Sequence, residues 1–120
     1  MNRRVKDIDL RIGARLRHYR IENGLTQDEF AQQLGLTYQQ VHKYENGVNR
    51  IAAGRLWNCW RILGVEPNEF FDGIEEQPLR PPDDERTTLL FMKSLNDLSS
   101  AHQKAVAKFV RALASTDEVA

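Results

Sequence analysis

Gly24, Gly35, the Asn46-Gly47 pair and Gly64 cut the first part of this chain into short runs of helical periodicity. Each run carries apolar residues three and four apart, the spacing of one helix face. Ile8, Ile12, Leu16 and Tyr19 form the first stripe, and Phe30, Ala31 and Leu34 the second. Val41 and Tyr44 form the third, and Leu56, Cys59, Trp60 and Leu63 the fourth. Start signals accompany the stops: Thr26 with Glu29 reads as a capping box and Thr37 caps the next run. Pro67 suits the first turn of a short fifth helix that returns Phe70 and Phe71 to the bundle. There is no strand signal and no internal repeat, so the expected fold class is all-α.

The second and third helices constrain each other. Joined by Gly35-Leu36, they must cross steeply, since Gly35 permits a tight turn and Ala31 allows close approach. The third helix then projects from the surface. A plain helical hairpin satisfies the same packing, so the chemistry of the outward face has to discriminate. With Val41 and Tyr44 turned inward, Tyr38, Gln39, Gln40, His42 and Lys43 face elsewhere. Gln39 and Gln40 can donate and accept together, which suits the paired groups of adenine, and Lys43 suits guanine or a phosphate. A face built only for solubility would carry more Glu and Lys.

The formal net charge is zero, yet its distribution is lopsided. Residues 1–64 hold eleven Lys or Arg against six Asp or Glu, and residues 65–120 hold six against eleven. The basic half contains the helical pair, as an electrostatic footprint for nucleic acid requires. Most of the acidity lies from Asp72 to Glu85, among Pro78, Pro81 and Pro82, a composition that reads as an extended linker. Arg3, Arg4 and Lys6 read as a basic arm ahead of the first helix, either a minor-groove or phosphate contact or a disordered terminus.

The expected organisation is a five-helix domain over residues 1–72, an acidic proline-containing linker over 73–85 and a C-terminal helical pair over 86–120. In that pair, Leu90, Phe91 and Leu95 line one helix and Val106, Phe109, Val110 and Leu113 another, with Ser100 and Gln103 able to cap the second. Two short apolar stripes cannot cover themselves, so these residues are expected to form a dimer interface.

Other function classes find little support. An apolar fraction of 41% with 28% charged residues is that of an ordinary soluble protein. No apolar run approaches the length of a membrane helix and the polar start leads into no signal sequence, so a cytoplasmic location is expected. Cys59 is the only cysteine and reads as a packing residue. His18, His42 and His102 have no metal-ligand spacing, and no metal or cofactor is expected. Ser94, Asp97, Ser99, Ser100 and His102 lie close in sequence, but without a nucleophile elbow or phosphate loop they suit helix caps better than catalysis.

The segments Leu25-Thr-Gln, Glu29-x-x-Ala, Gly35-Leu-Thr and Tyr44-Glu-Asn-Gly, taken together, resemble the phage-repressor and Cro-like helix-turn-helix family, also called the xenobiotic-response-element family. The resemblance runs from about Ile12 to Phe71 and implies a repressor-like DNA-binding domain. It implies Tyr38, Gln39 and Lys43 as base contacts, and Gln27 and Asn46 as phosphate contacts. Thr37 and Gln40 fit either class and are assigned, with Arg50, to phosphate. It also implies a structural ion pair between Arg20 and Glu45. The run from Ile51 to Trp57 and that from Leu63 to Phe71 look like the variant found in small bacterial regulators, except that Trp60 stands where a small residue is usual. Trp57 is expected to be at least half exposed, as plain surface or an interface anchor.

The expected function is a homodimeric transcriptional regulator, a repressor, on a palindromic double-stranded operator. The alternatives are an antitoxin-like protein whose tail binds a toxin, and a helical module that docks on other proteins. Salt dependence of DNA affinity separates the last from the others.

Overall fold

The computed structural model describes residues 3–77, 79 and 85–119, and these contain helices and no strand. In chain order they are α1 (Arg3–Glu22), α2 (Gln27–Leu34), α3 (Tyr38–Glu45), α4 (Ala53–Leu63), α5 (Pro67–Phe71), a single 3-10 turn (Ile74–Glu76), α6 (Glu85–Asn96) and α7 (Ser100–Val119). Leu16 from α1, Phe30, Ala31 and Leu34 from α2, Val41 from α3, Leu56, Cys59 and Leu63 from α4, Val65, and Phe70 from α5 form one buried core. Apart from Val65, which no stripe includes, these are residues that the sequence pattern turns inward. The burial of Cys59 pushes its thiol up to about 12, with Arg55 opposing, so it packs as an apolar group.

Local chemistry sets the helix starts. Thr26 Oγ1 accepts from the Glu29 backbone N–H at 3.0 Å while Glu29 Oε1 accepts from the Thr26 N–H at 2.8 Å. The same reciprocal box recurs at Thr37 and Gln40, at 3.2 and 3.0 Å. Gly35 closes α2 with φ of 72°, a conformation that costs residues with a Cβ and not glycine.

Gly13 stands inside a helical run that no local pattern distinguishes. A Cβ on it would lie 2.3 Å from the Tyr44 carbonyl oxygen and 2.7 Å from that of Glu45. The middle of α1 therefore meets the end of α3 backbone to backbone, and glycine is what permits it.

Three expectations are corrected. The backbone of residues 3–6 is not an arm but the first turn of α1, because no glycine or proline breaks the helix there. The stretch after Asp72 is not extended from its start. The 3-10 turn at Ile74–Glu76 is pinned to α1, where Arg11 Nη1 donates to the Gln77 carbonyl at 2.9 Å and Arg15 Nη1 to those of Phe70 and Asp72 at 2.8 and 2.7 Å. Pro78 and residues 80–84 of the expected linker lie outside the described residues. The cap of α7 is Ser99 rather than Ser100, with its Oγ accepting from the His102 N–H at 3.2 Å.

The C-terminal helices do not both stand apart from the domain. α6 lies along α1, and it is also held by Asn96 Nδ2 donating to the Asn23 carbonyl just past α1 at 3.1 Å and by Lys93 Nζ donating to Glu29 Oε1 of α2 at 2.6 Å. The Lys93 hydrogen bond, then the Thr26 backbone N–H, hold the Glu29 carboxyl down at about 2. A Cβ on Gly24 would sit 3.0 Å from Asn96 Nδ2, so the turn between α1 and α2 is in contact with α6. Gln103 Nε2 bonds the Leu95 and Leu98 carbonyls at 3.0 and 3.2 Å, fixing the corner between α6 and α7.

Candidate nucleic-acid interface

The candidate surface is built on a buried ion pair. Arg20 is 1% exposed and offers a planar fork: Nε donates to Glu45 Oε2 at 2.7 Å and Nη2 to Glu45 Oε1 at 3.0 Å. Its Nη1 donates to the Leu25 carbonyl at 2.7 Å. One side chain thereby joins α1, the turn into α2 and the last residue of α3. Such a bidentate charge pair adds geometric specificity as well as energy. Gln27 Nε2 donates to Glu45 Oε1 at 2.9 Å, which ties the start of α2 to the same carboxylate.

With Val41 buried and Glu45 locked, the opposite side of α3 is held outward. Tyr38, Gln39, Gln40, His42 and Lys43 are all exposed. Tyr38 and His42 stack at a centroid distance of 5.9 Å, and Asn46 Nδ2 donates to the His42 carbonyl at 2.8 Å. The polar tips of this face therefore project from an ordered surface.

The candidate contacts differ in how many donors they keep. Gln39 and Lys43 are exposed on the middle of the face. Gln40 is more committed: its Oε1 accepts from both the backbone N–H and the hydroxyl of Thr37, at 3.0 and 3.2 Å. Bidentate reading of adenine needs that oxygen, so Gln40 and Thr37 serve first as a cap. Gln27 uses one of its two amide protons within the protein, whereas Asn46 Nδ2 meets the His42 Nε2 at 3.3 Å as well as the His42 carbonyl. Arg50 Nε donates to Asp9 Oδ2 at 2.9 Å, which leaves its Nη groups uncommitted to that carboxylate.

Beside this face is an open hollow of about 360 Å³, lined by Gln27, Tyr38, His42 and Asn46 together with Arg17, Arg20, Asp28, Glu45 and Glu85. Sequence reasoning had singled out neither Arg17 nor Glu85. Arg17 Nη2 is hydrogen-bonded to Glu85 Oε2, and Glu85 Oε1 also accepts from Arg20 Nη2 at 2.8 Å. Burial lowers the Arg17 pKa, Glu45 opposes that and the like charge of Arg20 adds to it. An arginine stays charged in a protein regardless. Arg17 Nε is buried without a hydrogen-bond partner.

Elsewhere, Trp60 packs on Phe70 and Phe71 with centroids 5.7 and 5.8 Å away, filling the place where a small residue was expected, and its Nε1 is buried without a partner. Trp57 is 55% exposed. On the C-terminal helices Leu90, Phe91, Phe109, Val110 and Leu113 are exposed, and Leu95 and Val106 are half-buried. Among the described residues no group of metal-ligating side chains assembles, and no helix is long and apolar enough to cross a membrane.

Two short capped helices crossing at Gly35, the second anchored at its end and bare on its polar face, define a helix-turn-helix unit. The helix-turn-helix family matches residues 16–70, from the buried half of α1 to the core residue of α5. An HTH-type transcriptional regulator of Rickettsia conorii is 31% identical over 114 residues, spanning 92% of this chain and 91% of the relative. One from Rickettsia prowazekii is 29% identical over 119 residues, 96% and 92% of the two chains. An HTH-type transcriptional regulator of Sinorhizobium medicae is 43% identical over 65 residues, which is 54% of this chain and 47% of that protein, so the chain spans about half the length of that relative. No solved structure matches the chain. The chain belongs to the helix-turn-helix family of the phage-repressor and Cro-like type.

Proposed function

We propose that this protein is a sequence-specific DNA-binding transcriptional regulator, a repressor, that reads the major groove with α3 as a homodimer. The observation that carries the reading is the Arg20–Glu45 fork, which fixes the end of α3 from inside while Tyr38, Gln39 and Lys43 stay bare. A helix held this way presents base-reading groups without the cost of ordering them on binding. Gln39 and Lys43 act as readers, with Tyr38 beside them. Gln27, Asn46 and Arg50 set position on the backbone, and Thr37 and Gln40 add backbone contacts from the cap. The names carried by the Rickettsia and Sinorhizobium relatives agree with a regulatory role.

The dimer is assigned to α6 and α7. Leu90, Phe91, Phe109, Val110 and Leu113 present more apolar surface than a lone copy of the chain covers, and a two-fold pair is the commonest way to bury such a surface. Repression follows from occupancy of the operator against polymerase.

Selection of bound duplexes from a random pool, at stated salt, tests the reading. A two-fold sequence with half-sites about one helical turn apart, or a multiple of that, is the expected product. Recovery of no enriched sequence, or an affinity indifferent to salt, overturns it. Sedimentation of Phe109→Glu tests the interface, with a monomer expected; an unchanged dimer moves the interface to the Trp57 side of the domain.

A further inference from the structure

The Glu85 carboxylate meets the Arg17 guanidinium in the hollow that Gln27, Tyr38 and Asn46 also line. Carboxylate and phosphate oxygens make the same charge-assisted bonds to a guanidinium. The local charges also balance in an informative way. Glu45 already neutralises Arg20 through both oxygens, so the charge left for Glu85 to answer is that of Arg17. With Glu85 in place the four groups sum to zero. Asp28 also lines the hollow, so removing Glu85 takes its charge from one net negative to none and leaves the Arg17 guanidinium without a carboxylate, its buried Nε still short of an acceptor.

We propose that Arg17 is a DNA-backbone ligand that the chain itself masks, with Glu85 and a backbone phosphate competing for the same guanidinium. This rests on the DNA-binding reading above and extends it to a residue and a coupling outside the recognition helix. Glu85 is the first residue of α6, whereas the far end of that helix is anchored separately by Lys93 on Glu29 and Asn96 on Asn23. Withdrawing the carboxylate therefore requires opening of a single helical turn, and terminal turns open at little cost. Through the rest of α6, occupancy of Arg17 is linked to whatever partner covers Leu90 and Phe91.

The test compares full-length wild type, Glu85→Gln, Arg17→Ala and the double variant on a mixed-sequence duplex of about two helical turns, by fluorescence anisotropy across a salt series. Glu85→Gln is expected to bind about three- to tenfold tighter at low salt. That gain should shrink about threefold between roughly 50 and 200 mM salt, because each phosphate contact contributes about 0.9 to the slope of log affinity against log salt. In the Arg17→Ala background the gain should vanish, and Arg17→Gln, which keeps the aliphatic stem, should behave alike. Circular dichroism confirms that each variant is folded. A Glu85→Gln protein no tighter than wild type overturns the proposal. A gain that survives loss of Arg17 also overturns it, since the effect is then charge repulsion alone. Both results leave the DNA-binding reading standing, whereas failure of wild type and all variants to bind duplex overturns the two together.

Discussion

Replacing Arg20 by alanine empties a position that holds three segments to α1 at once. The wild-type guanidinium satisfies both oxygens of Glu45, the Leu25 carbonyl and one oxygen of Glu85. After the substitution, Glu45, whose side chain is 1% exposed, keeps only the Gln27 amide as a side-chain donor. A carboxylate stranded in this way costs about 3 to 5 kcal/mol. A domain of roughly 75 residues is stable by about 4 to 11 kcal/mol, so the loss takes a large share of the total. At about 4 to 8 °C per kcal/mol for a domain of this size, the melting temperature should fall by roughly 12 to 40 °C. Urea and thermal unfolding of the full chain, followed by far-ultraviolet circular dichroism, measure both figures. The double variant Arg20→Met, Glu45→Leu should recover most of the loss, because apolar side chains of similar volume replace buried pairs at little cost. A loss below about 1 kcal/mol for Arg20→Ala, the range of a solvated surface pair, would refute the reasoning.

Gly13→Ala should destabilise by about 1 to 3 kcal/mol although alanine is the better helix former, since the new methyl meets two backbone oxygens of α3; unchanged or raised stability in urea would contradict that. Gln39→Ala should lose about 1 to 3 kcal/mol at one base pair of each half-site and relax preference there, whereas Gln27→Ala should weaken all duplexes about equally; a uniform loss for Gln39→Ala, measured over single-base variants of the selected operator, would transfer the reading role to Tyr38 or Lys43. The Glu29 carboxyl, held at about 2 against an ordinary 4.5, contributes stability above pH 4.5 that is lost as pH falls toward 2. Carboxyl NMR should find its midpoint near the lower value in wild type and raised in Lys93→Ala, and a wild-type midpoint near 4.5 would show that α6 is not bonded there.

What could be read from the sequence was what local rules govern. Thr26 with Glu29 announces a helix start through atoms three residues apart, and the Gly35 stop is equally local. The Leu16, Phe30 and Val41 faces followed from period alone. Thr37 and Gln40 carried the same box pattern, so the capping duty of Gln40 was legible and was passed over in favour of its chemistry toward bases. Gly13 was not legible, because a glycine within a helix looks like weak propensity until the partner backbone is placed against it. Nor was the docking of α6. Glu85 and Lys93 read as ordinary solvated charges, and their partners Arg17, Arg20 and Glu29 lie more than sixty residues away. Pairings over such separations depend on how whole helices are laid together, which composition and periodicity do not encode.

The sealed thiol of Cys59 makes the chain its own unfolding gauge. Its sulfur is fully covered and, with the thiol pushed up to about 12, scarcely ionised at neutral pH. A maleimide can reach it only when the core opens, so the alkylation rate counts openings. Because no other cysteine competes, a second one engineered on the surface would carry a dye cleanly while the native one stayed silent. The same burial keeps the Cys59 thiol itself from peroxide and disulfide exchange while the core stays closed.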